Sequence, residues 1–426
     1  MTLAESVMRR VVEPSAVRYY QYRGDPLARL MGPRDKADPY PLYESVRRRG
    51  LVRSRLGPWV TAGHATASAV LRDRRFSSSP VHQPGYAPPA YPPGDPRAGL
   101  AGGDLLTLDP PDHTRLRRLV SGAFTPGAVA ALEPFVRDTA ARLLAAAGPA
   151  GFDLIGALAF PLPIAVICHL LGVPAADQGR FRAWGRDVAA SLEPRTSRAA
   201  ASQSRASEYA LAAYLGDLAA ARRAEPDGSL LSALIAAEEE GDRLTPGELV
   251  AMALLLLVAG FETTVNLIGN GTVALLREPG REQWHALRDD PALVPGAVEE
   301  LLRYDSPVQL TSRTATEDAE VAGTLVRRGT PVIVAIGGAN RDPAVFSDPG
   351  RLLVTRPGAA RHLSFSLGIH HCLGAPLARL EARVALEELT RARPGLQLAA
   401  APVRRPLLVL RGFESVPVRS APRQGR

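Results

Sequence analysis

The chain has 426 residues, of which 46% are hydrophobic and 22% charged, enough for a large buried core. Its net charge is +8, but arginine is scattered along the chain, which argues against a nucleic-acid partner and leaves room for an acidic protein partner. Two cysteines, Cys168 and Cys372, exclude a disulfide framework. Since no apolar run reaches the length of a membrane span and no signal peptide is visible, we expect a cytoplasmic protein that does not enter a membrane.

The first half of the chain is predicted to be mainly helical. Apolar spacing favours helices over 41–49, 66–72 and, with breaks at proline and glycine, 112–223. Val52–Thr61 favours a strand pair bent at Gly57. Residues 77–103 are dense in proline and glycine, and they form either a linker or a mobile loop over a binding site. Small polar residues predict a flexible connection at 194–206.

The second half begins with a strong helix start, and later the spacing of its apolar residues changes from that of helices to that of strands. Thr245 is a good N-cap, followed by proline and glutamate in the first turn, and the helix it opens should run to about Arg277. Further helices are predicted over Val294–Tyr304 and from about Ala375 to Arg391. Short strands are predicted at 311–316, 320–321, 324–326 and 331–336.

The strongest local pattern is a cysteine loop placed directly before the last helix. Cys372 precedes a helix N-terminus, whose partial positive charge stabilises a thiolate. Gly368 and Gly374 allow a tight turn and close approach of the backbone to a flat, bulky group. Phe365 can shield the sulfur from water and so tune a metal's redox potential.

Two other interpretations apply to the cysteines. A buried free thiol is the commonest state of a cysteine, and it suits Cys168 in the apolar run 164–170. A zinc site made by His370, His371 and Cys372 is the other alternative, but adjacent side chains splay apart and no second pair of ligands is near.

With this loop the chain resembles the cytochrome P-450 family, whose heme loop carries Phe-Gly-x-Gly-x-His/Arg-x-Cys-x-Gly. The matching residues are Phe365, Gly368, His370, Cys372 and Gly374. Ser366 departs from the pattern, because the family usually has glycine there. Since serine is small, we expect a slightly altered loop that keeps its ligand.

The resemblance implies the fold, the cofactor and the domain organisation. Cys372 would be the axial ligand of the iron in heme b. The fold would be mainly α with a small β region: a single triangular helical domain that holds heme between the long central helix and the helix after the cysteine loop. One domain would cover 1–426, with a core at about 40–415 and a frayed tail at 416–426.

Residues 259–264 place an acid and two hydroxyls inside the apolar central helix, which is costly unless they are paired. In one interpretation, Thr263 and Thr264 bond back to carbonyls one turn earlier and Glu262 reaches solvent. In the other, the helix is locally broken beside Gly260, and Glu262 and Thr263 relay protons to a bound ligand.

The segment resembles the family's oxygen-binding helix. That resemblance implies that Ala259 and Gly260 lie against the heme. It also makes Thr263 and Glu262 the catalytic residues that manage the protons required for oxygen cleavage.

A second set of residues resembles the family's structural charge network. Glu300 and Arg303 lie three apart on one helix face, a weak signal by itself because Glu278 and Arg281 have the same spacing. The position of Glu300 before the strand region resembles the family's Glu-x-x-Arg helix, and Arg356 matches the arginine that completes the network. The implied role is to hold the heme loop.

The remaining site residues follow from the same resemblance. Candidate donors to the heme propionates are His113, Arg117, Arg313 and His370. Candidate substrate-pocket residues are Val308, Gln309 and Leu310.

The function implied is that of a heme-thiolate monooxygenase, an oxidoreductase of secondary metabolism. It would insert one atom of O2 into an apolar small molecule such as a polyketide, terpenoid, steroid or fatty acid. Electrons from NAD(P)H would arrive through a reductase and a ferredoxin or flavodoxin, and the enzyme would be a monomer. The alternatives are a peroxide-driven or radical-coupling heme-thiolate enzyme and a heme-binding sensor without turnover.

Overall fold

The computed structural model describes residues 14–148, 151–189, 193, 198–239 and 244–420. The α-helices of this part are α1 (Pro14–Tyr22), α2 (Pro26–Leu30), α3 (Pro33–Ala37), α4 (Tyr40–Arg48), α5 (His64–Arg72), α6 (Asp112–Ser121), α7 (Pro126–Ala131), α8 (Glu133–Ala146), α9 (Pro161–Leu171), α10 (Gln178–Ala189), α11 (Arg198–Ala224), α12 (Leu230–Glu239), α13 (Pro246–Leu276), α14 (Arg281–Asp289), α15 (Val294–Tyr304), α16 (Ile336–Ala339) and α17 (Ala375–Ala392). A π-helix, Ile155–Ala159, leads into α9.

The strands of the described residues are short and form four small sheets. They are β1 (Leu51–Arg53), β2 (Trp59–Thr61), β3 (Phe76–Ser77), β4 (Gly151–Asp153), β5 (Leu310–Ala315), β6 (Ala319–Val321), β7 (Thr324–Val326), β8 (Pro331–Ala335), β9 (Leu396–Leu398), β10 (Val403–Arg404), β11 (Phe413–Ser415) and β12 (Pro417–Ser420). The largest sheet has the order β1-β2-β8-β5-β3, in which β2 and β8 are parallel and the other pairs antiparallel. The predicted mainly helical fold with a small β region is confirmed.

The central helix α13 begins at a capping box. The Thr245 side chain accepts a hydrogen bond from the Glu248 backbone, and the Glu248 carboxylate accepts one from the Thr245 backbone. The helix is apolar on almost every face, as expected of a helix inside a core. It is the one helix in the described part of the chain that is long and apolar enough to cross a membrane, but 72% of its most apolar window is buried in the protein.

Three apolar clusters surround the functional region. The main cluster gathers side chains of α8, α9, α13, α15 and α17. An amino-terminal cluster joins α1, α2 and α4 to β1 and β2, and a third lies between α5 and the strands β5 to β8. Because α17 packs on both α13 and α15, the segment before α17 is brought next to the central helix.

Two sequence-based expectations differ from the structure. Residues 198–206 belong to α11 instead of a flexible connection, while 194–197 lie outside the described residues. The predicted frayed tail is wrong for 416–420, since β12 pairs with both β4 and β9 and buries Val418. Pairing with β4, which is more than 260 positions away in sequence, leaves no local signal. Residues 421–426 lie outside the described part.

Candidate active site

The cysteine loop ends where α17 begins. The Cys372 backbone N–H donates to the Phe365 carbonyl (2.8 Å), which closes the loop, and Gly374 is the N-cap of α17. Cys372 has exposed surface, yet protein atoms surround it closely enough to desolvate the thiol, so it lies in a recess and not on the outer surface. Cys168, in contrast, is fully buried in the main cluster.

Positive groups around the Cys372 thiol counteract the effect of burial on its pKa. Burial raises the pKa of Cys372, while the backbone N–H groups of Gly374 and Ala375 and the guanidinium groups of Arg117 and Arg379 act to lower it. A helix N-terminus and two cations are the features expected around a cysteine that works as a thiolate.

The backbone conformation at Ser366 explains why the family usually has glycine at this position. Its φ is +59°, in the left-handed region, where a side chain costs about 1–2 kcal/mol. Gly368 also has a positive φ (+72°), and a Cβ there would lie 2.5 Å from the Leu71 carbonyl oxygen, so only glycine fits. Gly374 has no such constraint, because a Cβ there would meet no atom within 4 Å.

The middle of α13 presents an exposed patch in an otherwise buried helix. Ala259 is exposed and Thr263 half-buried, whereas Gly260 packs against Ile167, which a Cβ would approach to 3.1 Å. Thr263 Oγ1 donates to the Ala259 carbonyl (3.0 Å). The helix is continuous from Pro246 to Leu276, so the predicted local break beside Gly260 is not present.

Glu262 does not reach solvent. Its side chain is 2% exposed and pairs with Arg405, from the loop after β10. Buried charges require such a partner. The Thr263 and Thr264 hydroxyls do bond back to carbonyls one turn earlier, as one of the two interpretations predicted. The same interpretation predicted that Glu262 reaches solvent, and that part is wrong.

Three of the four candidate propionate donors come together from distant elements. His113 of α6 and His370 of the cysteine loop have ring centres 4.5 Å apart, and His113 Nε2 and His370 Nδ1 are buried without a hydrogen-bond partner in the described part of the chain. Burial, together with Arg313 and His113, lowers the pKa of His370 to about 4. Ser78 lies 2.7 Å from His370 Nε2.

Arg313 completes this group from β5. Its side chain donates to Thr311 Oγ1 (3.2 Å) and to the Ser312 carbonyl (2.8 Å), and the carboxylate of Asp109 attracts it electrostatically. Burial lowers the pKa of Arg313 to about 10, so it remains a buried cation at neutral pH. Arg117 lies beside the thiol, with Nη2 donating to the His371 carbonyl (2.7 Å).

The charge network is fully buried. Arg303 donates two hydrogen bonds to Glu300 (2.6 and 2.8 Å), and Arg356 donates to both Glu300 oxygens (3.0 and 3.1 Å). Arg303 also donates to the Asn340 carbonyl (3.0 Å), and the Asn340 side chain accepts from the Leu363 backbone (2.7 Å). The network is thus connected to the start of the cysteine loop.

A second ionic contact supports Phe365. The Arg379 guanidinium lies 4.6 Å from the Phe365 ring centre and donates to Glu299 (2.6 and 3.0 Å), whose carboxylate is 3.3 Å from His362 Nε2. Burial raises the pKa of Glu299, but the nearby His362 ring and the hydrogen bonds from Arg379 outweigh it and lower the pKa to about 2.

This depressed pKa predicts an acid-dependent stability. Because the folded pKa lies below the ordinary value of 4.5, the contribution is present above pH 4.5 and is lost as the pH falls towards 2. We expect Glu299→Gln to lower the free energy of unfolding at pH 7 by roughly 1–2 kcal/mol, a value reduced for solvent screening at the partly exposed Arg379. Urea midpoints at pH 7, 4 and 3 measure this, and a difference from wild type that stays constant with pH contradicts it.

The three candidate pocket residues do not share one environment. Val308 is partly exposed and packs on the main cluster. Gln309 Nε2 donates to the Ser306 carbonyl (2.7 Å), and its Oε1 lies against Gly337. Leu310 belongs to the amino-terminal cluster. Of the three, Val308 alone keeps surface that a substrate could contact.

Sequence reasoning missed two partners of the predicted site residues. Ser78 contacts His370, and Arg405 holds Glu262. Ser78 lies in the irregular stretch 77–103, and the only sequence signal for it was that this stretch could form a loop over a binding site. Arg405 had no sequence signal, because one arginine among many carries no local pattern.

These features fit heme. A free thiol at a helix start could ligate the iron, and the unpartnered imidazole nitrogens of His113 and His370 with the buried Arg313 could bind carboxylates. The exposed face at Ala259 would accept a flat apolar group.

Comparison with known proteins shows the family of the chain. The family model for Cytochrome P450 matches residues 203–392. A putative cytochrome P450 140 of Mycobacterium tuberculosis (strain ATCC 25618 / H37Rv) is 44% identical over 418 residues, covering 94% of this chain and 93% of the relative. The 6-deoxyerythronolide B hydroxylase of Saccharopolyspora erythraea is 43% identical over 371 residues, covering 85% and 90%.

The crystal structure of Mycobacterium smegmatis CYP164A2 in a ligand-free state is similar with a TM-score of 0.84 and 40% identity, covering 92% of this chain and 99% of that one. The chain therefore belongs to the cytochrome P450 family, and it is a heme-thiolate monooxygenase that uses heme b and O2 with electrons supplied from NAD(P)H through redox partners.

Proposed function

We propose that this enzyme hydroxylates an apolar natural product of bacterial secondary metabolism, in the size range of a polyketide, terpenoid, steroid or fatty acid. The observation that carries the proposal is the accessible Cys372 thiol at the start of α17. The relative that is named a hydroxylase of 6-deoxyerythronolide B supports the reaction type. A ferredoxin or flavodoxin with its reductase would deliver electrons one at a time.

The reaction consumes substrate RH, O2, two electrons and two protons, and it yields ROH and water. Bound heme supplies the redox chemistry that activates O2. Cys372 would hold the iron, while His113, Arg313 and His370 would bind the propionates as one cation and two neutral imidazoles. Arg117 would act on the thiolate side, where its charge lies beside Cys372.

The protein's own chemical task is to supply two protons at the right place. Thr263 Oγ1 donates its proton to the Ala259 carbonyl, so its oxygen can accept a hydrogen bond from a donor nearby. To donate towards the open side of α13, the hydroxyl must release that carbonyl. Glu262, the residue before Thr263, would pass protons from the interior to this hydroxyl.

The catalytic role of Thr263 is tested by Thr263→Ala. We expect heme and substrate binding to be unchanged, while the product formed per NADH consumed falls by roughly tenfold and hydrogen peroxide accumulates, because general acid catalysis is lost. The matched control is Thr264→Ala, which removes a neighbouring hydroxyl that is 1% exposed and bonds back to Gly260.

Unchanged coupling in Thr263→Ala would overturn the proton-transfer role. Activity of the wild type with hydrogen peroxide alone, at the rate of the reconstituted system, would instead favour a peroxide-driven enzyme. No NADH consumption with any partner and substrate would favour a sensor.

The substrate class can be found by a spectral screen. The shift of the ferric protein from low spin to high spin would be measured with 6-deoxyerythronolide B, limonene, testosterone and dodecanoic acid, one probe for each class. We further propose that the chain acts as one catalytic domain, which includes the helices before residue 40 and the strand β12, and that the enzyme works as a cytoplasmic monomer.

A further inference from the structure

Three polar residues form a line on one face of α13. Glu262, Asn266 and Asn270 are four positions apart, a spacing that places side chains on the same helix face with about 6 Å of rise between neighbours. All three are at most 2% exposed. We call these residues the polar stripe; it begins at the proposed acid Glu262 and runs away from Thr263 towards the helix end.

One loop covers the whole polar stripe. Residues 403–415, which contain β10, β11 and their connection, form the carboxy-terminal hairpin. Arg405 pairs with Glu262, a Cβ on Gly412 would collide with Asn266 Oδ1, and Asn270 Nδ2 donates to the Arg411 carbonyl (2.8 Å). The hairpin therefore contacts every member of the stripe.

The polar stripe is poorly satisfied by protein groups. Within the described part of the chain, Glu262 Oε2, both polar atoms of the Asn266 side chain and Asn270 Oδ1 are buried without a hydrogen-bond partner. Each such atom costs roughly 1–3 kcal/mol unless water satisfies it. The four atoms lie along one line between one helix and one loop, and bound water is the partner that could satisfy all of them.

The far end of the polar stripe reaches a charged cluster. Asn270 Nδ2 also donates to the Asp305 carbonyl (3.3 Å). The Asp305 carboxylate accepts from Tyr40 (2.6 Å), Arg411 (2.7 Å) and Arg404 (3.0 Å). The Arg404 side chain is 25% exposed, although its Nη1 is buried and unpartnered in the described part. This end therefore approaches solvent.

We propose that the polar stripe and the carboxy-terminal hairpin enclose a water file that carries protons from the Asp305–Arg404 cluster to Glu262. Arg405 acts as a positioning residue, because it fixes one Glu262 oxygen and leaves the other facing the file. Protons enter from solvent and replace those consumed in the reaction. The inference rests on the proposed role of Glu262 and Thr263.

Asn266→Leu tests the file, because leucine has nearly the shape of asparagine but binds no water. With the probe that gives the largest spin shift and a surrogate ferredoxin and reductase, we expect unchanged substrate affinity, a roughly tenfold slower product formation and a larger solvent deuterium isotope effect. Asn266→Ser, which keeps a hydroxyl and leaves space for water, should restore most of the rate.

Thr272→Val is the matched control. Thr272 is also on α13, is fully buried and has an unpartnered Oγ1 in the described part, but it lies off the polar stripe. We expect its isotope effect to equal that of wild type. An equal isotope effect in Asn266→Leu and wild type would overturn the proposal.

A second readout is independent of turnover. A crystal structure of the wild type should show ordered water between α13 and the hairpin, and a crystal structure of Asn266→Leu should show that this water is interrupted. The absence of ordered water in the wild type would overturn the proposed file.

Thr263→Ala, measured in parallel, separates the water file from the proton-transfer role of Thr263. If Thr263→Ala uncouples the reaction while Asn266→Leu has no effect, the file is wrong and the proposed function stands. If Thr263→Ala has no effect, the proton-transfer role that the proposed function gives to Thr263 is wrong, whatever the water shows.

Discussion

Replacing Cys372 by alanine is expected to abolish the long-wavelength Soret band of the reduced carbonyl complex, and product formation with it. Alanine offers no atom that can bind iron, and no other cysteine can take its place because Cys168 is buried in the main cluster. The helix start and the cations Arg117 and Arg379 would remain, without a thiolate to stabilise. Absorption spectra of the purified protein after titration with heme measure this effect.

Cys168→Ala is the control for this experiment. It removes the other of the two thiols, and it should leave the band in place while lowering stability by the cost of a small core cavity. A Cys372→Ala protein that keeps the band would show that the ligand is wrongly assigned.

Glu300→Gln is expected to have the largest effect on stability. It leaves Arg303 and Arg356 buried without their carboxylate, and breaking a buried charge pair in this way costs roughly 3–5 kcal/mol. A loss of that size is a large part of the stability of an ordinary domain. We expect poor heme retention as well, since the network is linked through Asn340 to the start of the cysteine loop.

Glu278→Gln is the matched control, because Glu278 and Arg281 have the same spacing. Glu278 is exposed, and its replacement should change the free energy of unfolding by less than about 0.5 kcal/mol. Urea unfolding and heme retention on gel filtration measure both variants. Equal stability of the two would contradict a supporting role for the buried network.

Local sequence patterns were enough for most of the secondary structure. The helix start at Thr245, the helix over Val294–Tyr304 and the strands near 310–335 are confirmed with bounds that differ by at most a residue or two. These elements are set by neighbouring residues: a cap, an apolar period and a glycine turn. The resemblance of the cysteine loop gave the family, since its five residues lie within ten positions.

Only the tertiary structure decided which distant residues meet. The Glu262–Arg405 pair joins residues that are 143 positions apart, and β12 finds β4 across more than 260. Gln309 and Leu310 are likewise placed by distant partners: Gln309 Oε1 lies against Gly337, and Leu310 packs in the amino-terminal cluster. An arginine or an alternating strand has many possible partners in the chain, so the choice among them is made by packing and not by any local signal.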